Sequence, residues 1–192
     1  MKLKVPAHVR PTMGKVKEAI FNILRSEISI FTDLKCLDLF AGSGSLGFKA
    51  LELGANSLIA IDSHKDSIQA LKENAEKYKF LNKTKIIKAD CLKYDFVNTE
   101  NLPHKFDLIF ADPPYAISDE DLAILLNRIP LLTSDSGLFV LELGSGRDVS
   151  ALLDNSNYSS KTSENSLCLN LLSKRVYGDT AIWFWRGAEE IF

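Results

Sequence analysis

An alternation of short apolar segments with amphipathic segments constrains the fold of this chain more than any other feature of its sequence. Strands that alternate with helices pair in parallel and are covered by helices on both faces. The predicted strands are KCLDLF, SLIAID, KIIKAD, FDLIFAD and GLFVLEL, and the predicted helices between them span residues 46–53, 65–78 and 122–129. The alternation therefore predicts an α/β fold with a mostly parallel sheet.

Two further regions frame this alternation. Apolar residues at helical spacing predict a first amphipathic helix, with Thr12 as its N-cap after Pro11. These residues are Val16, Ala19, Ile20, Ile23 and Leu24. Near the C-terminus, SLCLNLLSKRVYG and DTAIWFWR are joined by a Gly-Asp turn. Because the connection is too short for a crossover helix, we predict an antiparallel hairpin at the end of the sheet.

Length and composition are those of a soluble globular protein. The chain has 192 residues, 46% of them hydrophobic and 25% charged, and we expect a single domain over residues 1–192. It has no apolar run of about 20 residues and no apolar core of a signal peptide at its N-terminus. The scattered Cys36, Cys91 and Cys168 are typical of reduced thiols, so we expect a cytoplasmic protein without a metal.

The charge is distributed unevenly. The net charge is −2, but residues 1–25 contain six basic residues and one acid. Residues 1–26 are therefore predicted to form a short basic arm and helix. Phosphate contacts through Lys15 and Lys17 and a merely solvated helix face both explain this pattern.

The segment LDLFAGSGSLG links the first predicted strand to a helix. Gly42, Gly44 and Gly47 match GxGxxG in this strand-turn-helix context, and Asp62 follows Gly42 by 20 residues at the end of the second strand. Such glycines let a ligand approach the backbone, and an acid at that position binds ribose hydroxyls. The pattern indicates a ligand that contains a nucleoside.

The glycine pattern alone does not separate a dinucleotide cofactor from S-adenosylmethionine. Asp38, inside the first strand, can meet an ammonium group, and Asp90 with the Cys91 backbone ends the third strand where an adenine edge would lie. These features favour S-adenosylmethionine. Phe40 and Ser63, which flank the loop and Asp62, complete the predicted cofactor set.

The fourth strand ends in Asp112, Pro113, Pro114 and Tyr115. The double proline fixes the backbone, so the Asp112 carboxylate and the Pro113 carbonyl can accept both hydrogens of an exocyclic amine. Tyr115 offers a flat face on which a nucleobase can stack. This arrangement indicates methyl transfer to the amino group of a base.

Several motifs resemble one known family. DPPY is a variant of the [NDS]PP[YFW] motif of amino-methyltransferases, and nearly the whole chain resembles the bacterial 16S rRNA guanine-N2 methyltransferase family, RsmD. The matching segments are RPTMGKVKEAIFNIL, CLDLFAGSGSLGFKALELGA and YGDTAIWFWR. The resemblance implies a class I Rossmann-like sheet of order 3-2-1-4-5-7-6, with transfer to N2 of one guanine in small-subunit rRNA.

The resemblance also assigns residues and partners. It implies that the N-terminal segment closes over the site and the RNA, through Arg10, Thr12 and Asn22. The implied substrate is 16S rRNA within an assembling small subunit, bound by a monomer away from any membrane. Only nine residues precede Arg10, where many members carry a longer basic hairpin, and Gly14 stands where an acid is usual.

Other activities remain open from the residues alone. DPPY is also compatible with methylation of adenine N6 in DNA or RNA, or of a protein glutamine. The glycine loop is compatible with a dehydrogenase, and retention of the fold alone is compatible with a non-catalytic RNA-binding assembly factor.

Overall fold

The computed structural model describes residues 1–9, 14–96, 99, 102–149, 152 and 167–189. The helices are α1 (Gly14–Glu27), α2 (Ser45–Glu52), α3 (Lys65–Lys77) and α4 (Asp119–Leu132), with a short 3-10 helix at Leu81–Lys83. The strands are β1 (Lys35–Leu39), β2 (Ser57–Asp62), β3 (Thr84–Lys88), β4 (Phe106–Ala111), β5 (Thr133–Gly144), β6 (Leu167–Tyr177) and β7 (Thr180–Glu189).

The seven strands form a mixed sheet in the order β3-β2-β1-β4-β5-β7-β6. The pairs β1–β2, β2–β3 and β4–β5 are parallel, whereas β7 is antiparallel to both β5 and β6. The predicted fold class, strand order and C-terminal hairpin are therefore confirmed.

The chain divides into two compact units, residues 1–94 and 95–192. The first contains α1 to β3, and the second contains β4 to β7. The single domain expected over residues 1–192 stays a prediction. Arg10, Pro11 and Thr12 lie outside the described residues, so the predicted Thr12 cap is untested.

In the first unit, the inward face of α1 is close to the predicted one. Val16, Ile20 and Leu24 are buried as predicted, whereas Phe21 is buried in place of Ala19 and Ile23, which are half-buried. Phe21 packs against Phe31, with ring centroids 6.4 Å apart. Burial of an aromatic ring removes more apolar surface from water than burial of alanine. The inward face of α1 is therefore rotated slightly from the predicted face, towards Phe21.

The inward face of α3 differs from the prediction. Its buried residues are Ser67, Ala70, Leu71, Asn74 and Ala75. Ile68 and Tyr78, which we expected on the buried face, are only half-buried. The polar members of this face are covered by the N-terminal segment, whose backbone bonds to Asn74 and Tyr78.

In the second unit, aromatic side chains of neighbouring strands build much of the core. Trp185 lies opposite Phe139 across β7 and β5, with ring centroids 5.2 Å apart, and it stacks on Trp183 at 5.7 Å.

Among the described residues, none of the helices has the length and apolar character needed to cross a bilayer.

Candidate active site

The loop between β1 and α2 has an unusual backbone. Gly42 and Gly44 adopt left-handed conformations, with φ of 55° and 79°. Phe40, just before them, also has a positive φ of 59°, which costs energy in a residue with a side chain. The turn is closed by a hydrogen bond of 2.7 Å from the Gly44 N–H to the Ala41 carbonyl.

Two of the loop's glycines are required by the protein's own packing. A Cβ on Gly44 would stand 2.3 Å from the Phe48 ring, and a Cβ on Gly47 would stand 2.7 Å from Leu58. Both contacts are far inside van der Waals distance, so a side chain at either position would have to displace the Phe48 ring or the Leu58 side chain. These glycines therefore have a packing role in addition to the close approach of a ligand that their spacing predicts.

Asp62 fixes the loop from the end of β2. One carboxylate oxygen accepts the Gly42 N–H at 2.9 Å, and the other accepts the His64 N–H at 2.8 Å. Because a carboxylate oxygen can accept more than one hydrogen bond, this half-buried group keeps capacity for a hydroxyl ligand. Its neighbour Ser63 is exposed.

Asp38 lies inside the unit rather than at its surface. The residue is 2% exposed, and its Oδ2 accepts the Gly47 N–H at 2.9 Å. This bond satisfies one of the N–H groups near the beginning of α2 and joins the helix to β1. A contact of Asp38 with a ligand ammonium group stays a prediction.

Asp90 and Cys91 follow β3. The Asp90 carboxylate accepts the Leu92 N–H at 3.0 Å and lies 3.4 Å from the Lys93 ammonium. Cys91 is 3% exposed, and its Sγ accepts the Phe40 N–H at 3.4 Å. Burial raises the pKa of this thiol to about 12, so Cys91 is a protonated structural group and not a nucleophile.

Residues 1–9, here called the N-terminal strap, run along α3 to the glycine loop. The backbone of Lys2 bonds to the Tyr78 hydroxyl at 2.7 Å, and Val9 lies 3.1 Å from the position of a Cβ on Gly42. The buried Asn74 amide pairs with both backbone groups of Lys4, at 2.8 and 2.9 Å, and donates to the Ser43 carbonyl at 3.0 Å.

Sequence reasoning missed Asn74. Its signal was a polar residue one turn after Leu71 on the side of α3 that packs inward, where an unpartnered amide would be costly. Asn74 connects the N-terminal strap to the backbone of the glycine loop.

The predicted RNA-binding residues separate into different environments. The Lys17 ammonium donates to the Ser45 hydroxyl at 3.2 Å, at the first residue of α2. Lys15 is exposed, and the exposed Asn22 accepts a bond from Arg25 at 3.2 Å. Arg10 and Thr12 belong to the part of the chain that the structure does not describe.

One group of side chains has the composition of a metal site. Ligand atoms of His8, His64 and Asp66 lie within 4.8 Å of one another. However, His64 Nδ1 accepts the Asp66 N–H at 3.3 Å, and His8 Nε2 lies 3.1 Å from the Ser67 hydroxyl. All three residues are exposed. The expectation of a protein without a metal stays a prediction.

The second unit contains the residues that follow β4. Asp112 is half-buried, Pro113 is buried, and Pro114 and Tyr115 are exposed. The turn is closed by a bond of 2.8 Å from the Ile117 N–H to the Pro114 carbonyl. The carbonyl used in this turn belongs to Pro114. The predicted acceptor of the amine is the carbonyl of the preceding residue, Pro113.

The hydroxyl of Tyr115 contacts a neighbouring strand. The ring lies beside Gly144 of β5, with 3.7 Å between the position of a Gly144 Cβ and the ring's Cδ1. The hydroxyl lies 3.1 Å from the hydroxyl of Thr180, the first residue of β7. This contact connects two motifs that the sequence showed only as separate segments.

Comparisons with known proteins agree with this fold. The family described as "Conserved hypothetical protein 95" matches residues 1–186. The Ribosomal RNA small subunit methyltransferase D of Haemophilus influenzae is 38% identical over 120 residues, which cover 62% of this chain and 59% of that protein. The chain thus spans less than two thirds of the length of this curated relative.

Solved structures show the same architecture. A candidate methyltransferase from Escherichia coli superposes with a TM-score of 0.71 and 24% identity, covering 98% of this chain and 92% of the other. The Thermus thermophilus 16S rRNA N2 G1207 methyltransferase, solved with AdoMet and guanosine, gives a TM-score of 0.69 and 16% identity, covering 95% of this chain and 45% of the other. At these identities, the likeness shows the fold.

Proposed function

The chain belongs to the family described as conserved hypothetical protein 95, and we propose that it methylates the exocyclic N2 of a guanine in small-subunit rRNA. The methyl donor in this proposal is S-adenosylmethionine. The name of the Haemophilus influenzae relative supports the rRNA substrate. The Thermus thermophilus enzyme, an N2 methyltransferase solved with AdoMet and guanosine, supports both the donor and the guanine N2 acceptor.

The observation that carries the proposal is the contact between the Asp62 carboxylate and the Gly42 N–H. It places an oriented acid beside a left-handed glycine turn, at the carboxyl ends of two parallel strands, where a nucleoside fits. The residues proposed to hold the cofactor are Asp38, Phe40, Gly42, Gly44, Asp62, Ser63, Asp90 and Cys91. Asp38, Phe40 and Cys91 act mainly by holding the loop and the strand ends in place.

The proposed acceptor site is formed by the residues after β4. The Asp112 carboxylate and the Pro113 carbonyl each accept one hydrogen of the amine, and the ring of Tyr115 stacks on the base. S-adenosylmethionine, when bound, supplies an electrophilic methyl group on a sulfonium. Transfer requires the acceptor amine within reach of that methyl.

Positioning and electrostatics account for the chemistry of the chain's own residues. The lone pair of an exocyclic amine is delocalised into the base, which makes the nitrogen a weak nucleophile. Holding both hydrogens moves the nitrogen towards a tetrahedral geometry and directs the lone pair outward. Positive charge that develops on the nitrogen would be stabilised by the Asp112 carboxylate. As the C–N bond forms, the C–S bond of the sulfonium would break, and the methylated nitrogen would then lose its extra proton to water, so no strong base is needed.

The proposed RNA contacts come from the N-terminal region. Lys15 is exposed and can reach a phosphate, whereas Lys17 contacts Ser45 at the beginning of α2 and lies closer to the cofactor loop. Arg10, Thr12 and Asn22 are proposed contacts by family resemblance alone. The proposed substrate is 16S rRNA in an assembling small subunit. The protein is proposed to bind it in the cytoplasm as a monomer.

The test is methyl transfer with the purified protein and labelled S-adenosylmethionine. We expect label in unmethylated small subunits, and N2-methylguanosine after digestion to nucleosides and mass spectrometry. DNA, free 16S rRNA and ribosomal proteins are assayed in parallel, with Asp112→Ala as the inactive control. N6-methyladenine or methylated glutamine as the main product would contradict the proposal and favour another amino-methyltransferase.

A further inference from the structure

We propose that Thr180 is a positioning residue that holds the ring of Tyr115 ready to stack on the target base. This inference rests on the proposed function, since it assigns a partner to a residue of the acceptor site. It gives a role to the YGDT segment, residues 177–180, which had otherwise contributed only to family resemblance.

The contact joins an exposed side chain to a buried one. Tyr115 is 43% exposed, whereas Thr180 is 2% exposed. Their hydroxyl oxygens lie 3.1 Å apart, within hydrogen-bond distance. The tether therefore has a rigid end, and the ring that it holds keeps a large part of its surface open to solvent.

The backbone around Thr180 is fixed on both sides. Thr180 pairs with Gly144 of β5 and with Tyr177 of β6. The turn between β6 and β7 depends on Gly178, whose φ is 58°, and the Asp179 carbonyl accepts the Ser145 N–H at 2.8 Å. These bonds set the position of the Thr180 hydroxyl through the sheet rather than through a loose turn.

Gly144, the strand partner of Thr180, is near the Tyr115 ring, since a Cβ added there would stand 3.7 Å from the ring's Cδ1, an ordinary van der Waals distance. The glycine itself has no side chain and leaves room for the ring. The hydrogen bond with the Thr180 hydroxyl then limits rotation of the Tyr115 side chain.

A fixed ring matters for stacking. A half-exposed tyrosine that rotates freely must lose that freedom each time a base binds, which weakens productive binding. A ring fixed beforehand avoids this cost. Removal of the Thr180 hydroxyl should therefore lower kcat/KM for the RNA substrate, while affinity for S-adenosylmethionine stays the same.

The experiment is a double-mutant cycle. Thr180→Val removes the hydroxyl at constant shape, Tyr115→Phe removes the other hydroxyl, and the third variant combines both. A net hydrogen bond predicts a loss of roughly 2- to 10-fold in kcat/KM for each single variant. Because each hydroxyl acts through the other, the double variant should be no worse than either single variant.

Two controls separate this role from a general effect on folding. Thr180→Ser keeps the hydroxyl and should retain activity within about twofold, a margin smaller than the loss of one net hydrogen bond. Tyr177→Phe removes a hydroxyl from the same hairpin and should leave kcat/KM unchanged. Melting temperatures and the calorimetric affinity for the cofactor are measured for every variant. If Thr180→Val does not fold, Tyr115→Phe still tests the hydrogen bond, because it changes an exposed residue.

A second readout does not depend on activity. In protein labelled with 3-fluorotyrosine, the ¹⁹F resonance lost in Tyr115→Phe identifies Tyr115, and it should shift towards that of free fluorotyrosine in Thr180→Val. An unchanged resonance, or losses that multiply in the double variant, would overturn the tether. Wild-type protein without transfer to rRNA would instead contradict the proposed function, and the ¹⁹F result would still decide the tether.

Discussion

The carboxylate of Asp62 accepts the backbone N–H of Gly42 at 2.9 Å, so the end of β2 fixes the loop that follows β1. The same carboxylate accepts the His64 N–H at 2.8 Å. Asp62 is therefore both the predicted acceptor for ribose hydroxyls and a structural part of the glycine loop. Because of this double role, a substitution of Asp62 removes the bond to the glycine loop together with the predicted contact to the cofactor.

We expect Asp62→Ala to weaken binding of S-adenosylmethionine by about 10- to 100-fold, since a hydrogen bond to a charged group contributes about 1.5–3 kcal/mol. Calorimetry measures the affinity. Asp62→Asn is the control, because its amide oxygen can still accept one backbone N–H, and it should bind more tightly than the alanine variant. Equal, wild-type affinity in both variants would remove Asp62 from the cofactor site.

Asn74 should couple the N-terminal strap to the glycine loop. In Asn74→Ala, the Lys4 backbone and the buried Ser43 carbonyl lose their partner, and leaving a buried polar group unsatisfied costs about 1–3 kcal/mol. Urea unfolding should show this loss, and hydrogen exchange should become faster at residues 2–9. Lys72→Ala, an exposed change on the same helix, serves as the control. Unchanged exchange in the strap would show that Asn74 does not hold it.

The two lysines of α1 should behave differently. Lys15→Ala should weaken RNA binding and reduce the slope of log K against log salt by about 0.7–0.9, as expected for one lost phosphate contact. Lys17→Ala removes the contact with Ser45 and should lower the affinity for the cofactor. Its effect on the salt slope of RNA binding should be smaller than that of Lys15→Ala. Filter binding at several salt concentrations and calorimetry separate the two effects. Identical salt slopes for Lys15→Ala and the wild type would leave Lys15 as a solvated residue.

Cys91 should resist alkylation. Burial raises its pKa from 9.0 in the unfolded chain to about 12, so the folded protein binds the thiol proton more tightly. The resulting stability is fully present below pH 9 and is lost as the pH rises towards 12. At about pH 8, below the thiol's ordinary pKa, iodoacetamide should modify Cys91 far more slowly in the folded protein than in urea, as peptide mass spectrometry would measure. Equal rates would contradict the buried environment.

The strands and the C-terminal hairpin could be predicted from the sequence because their signals are local, whereas the strand order came from the family resemblance. Apolar runs such as SLIAID mark strands directly, and the short Gly178-Asp179 connection allows only a hairpin. The inward face of α3 could not be predicted, since it depends on residues 2–8, which lie about 60 to 76 positions away in the chain. Apolar periodicity contains no information about a helix face that is covered by backbone groups.

The candidate site was predictable to a similar extent. The positions of Gly42 and Asp62 follow from motif spacing, and their contact is present in the structure. The packing requirement at Gly44 and the contact of Tyr115 with Thr180 could not be foreseen, because both depend on side chains distant in sequence. Motifs indicate which residues to propose for the chemistry, whereas the residues that hold them in place require coordinates.

The most direct test of the proposed methyl transfer is single-turnover methylation of unmethylated small subunits by Asp112 variants. The Asp112 carboxylate is proposed to stabilise charge that develops only during transfer, so kcat should fall more than KM rises. By analogy with the loss of one oxyanion-hole donor, Asp112→Ala should lose about 10²–10³-fold in rate while it still folds and binds S-adenosylmethionine. Asp112→Asn keeps an acceptor oxygen and should retain more activity than the alanine variant. Rates near wild type in both variants would contradict the assignment of Asp112 to the acceptor site.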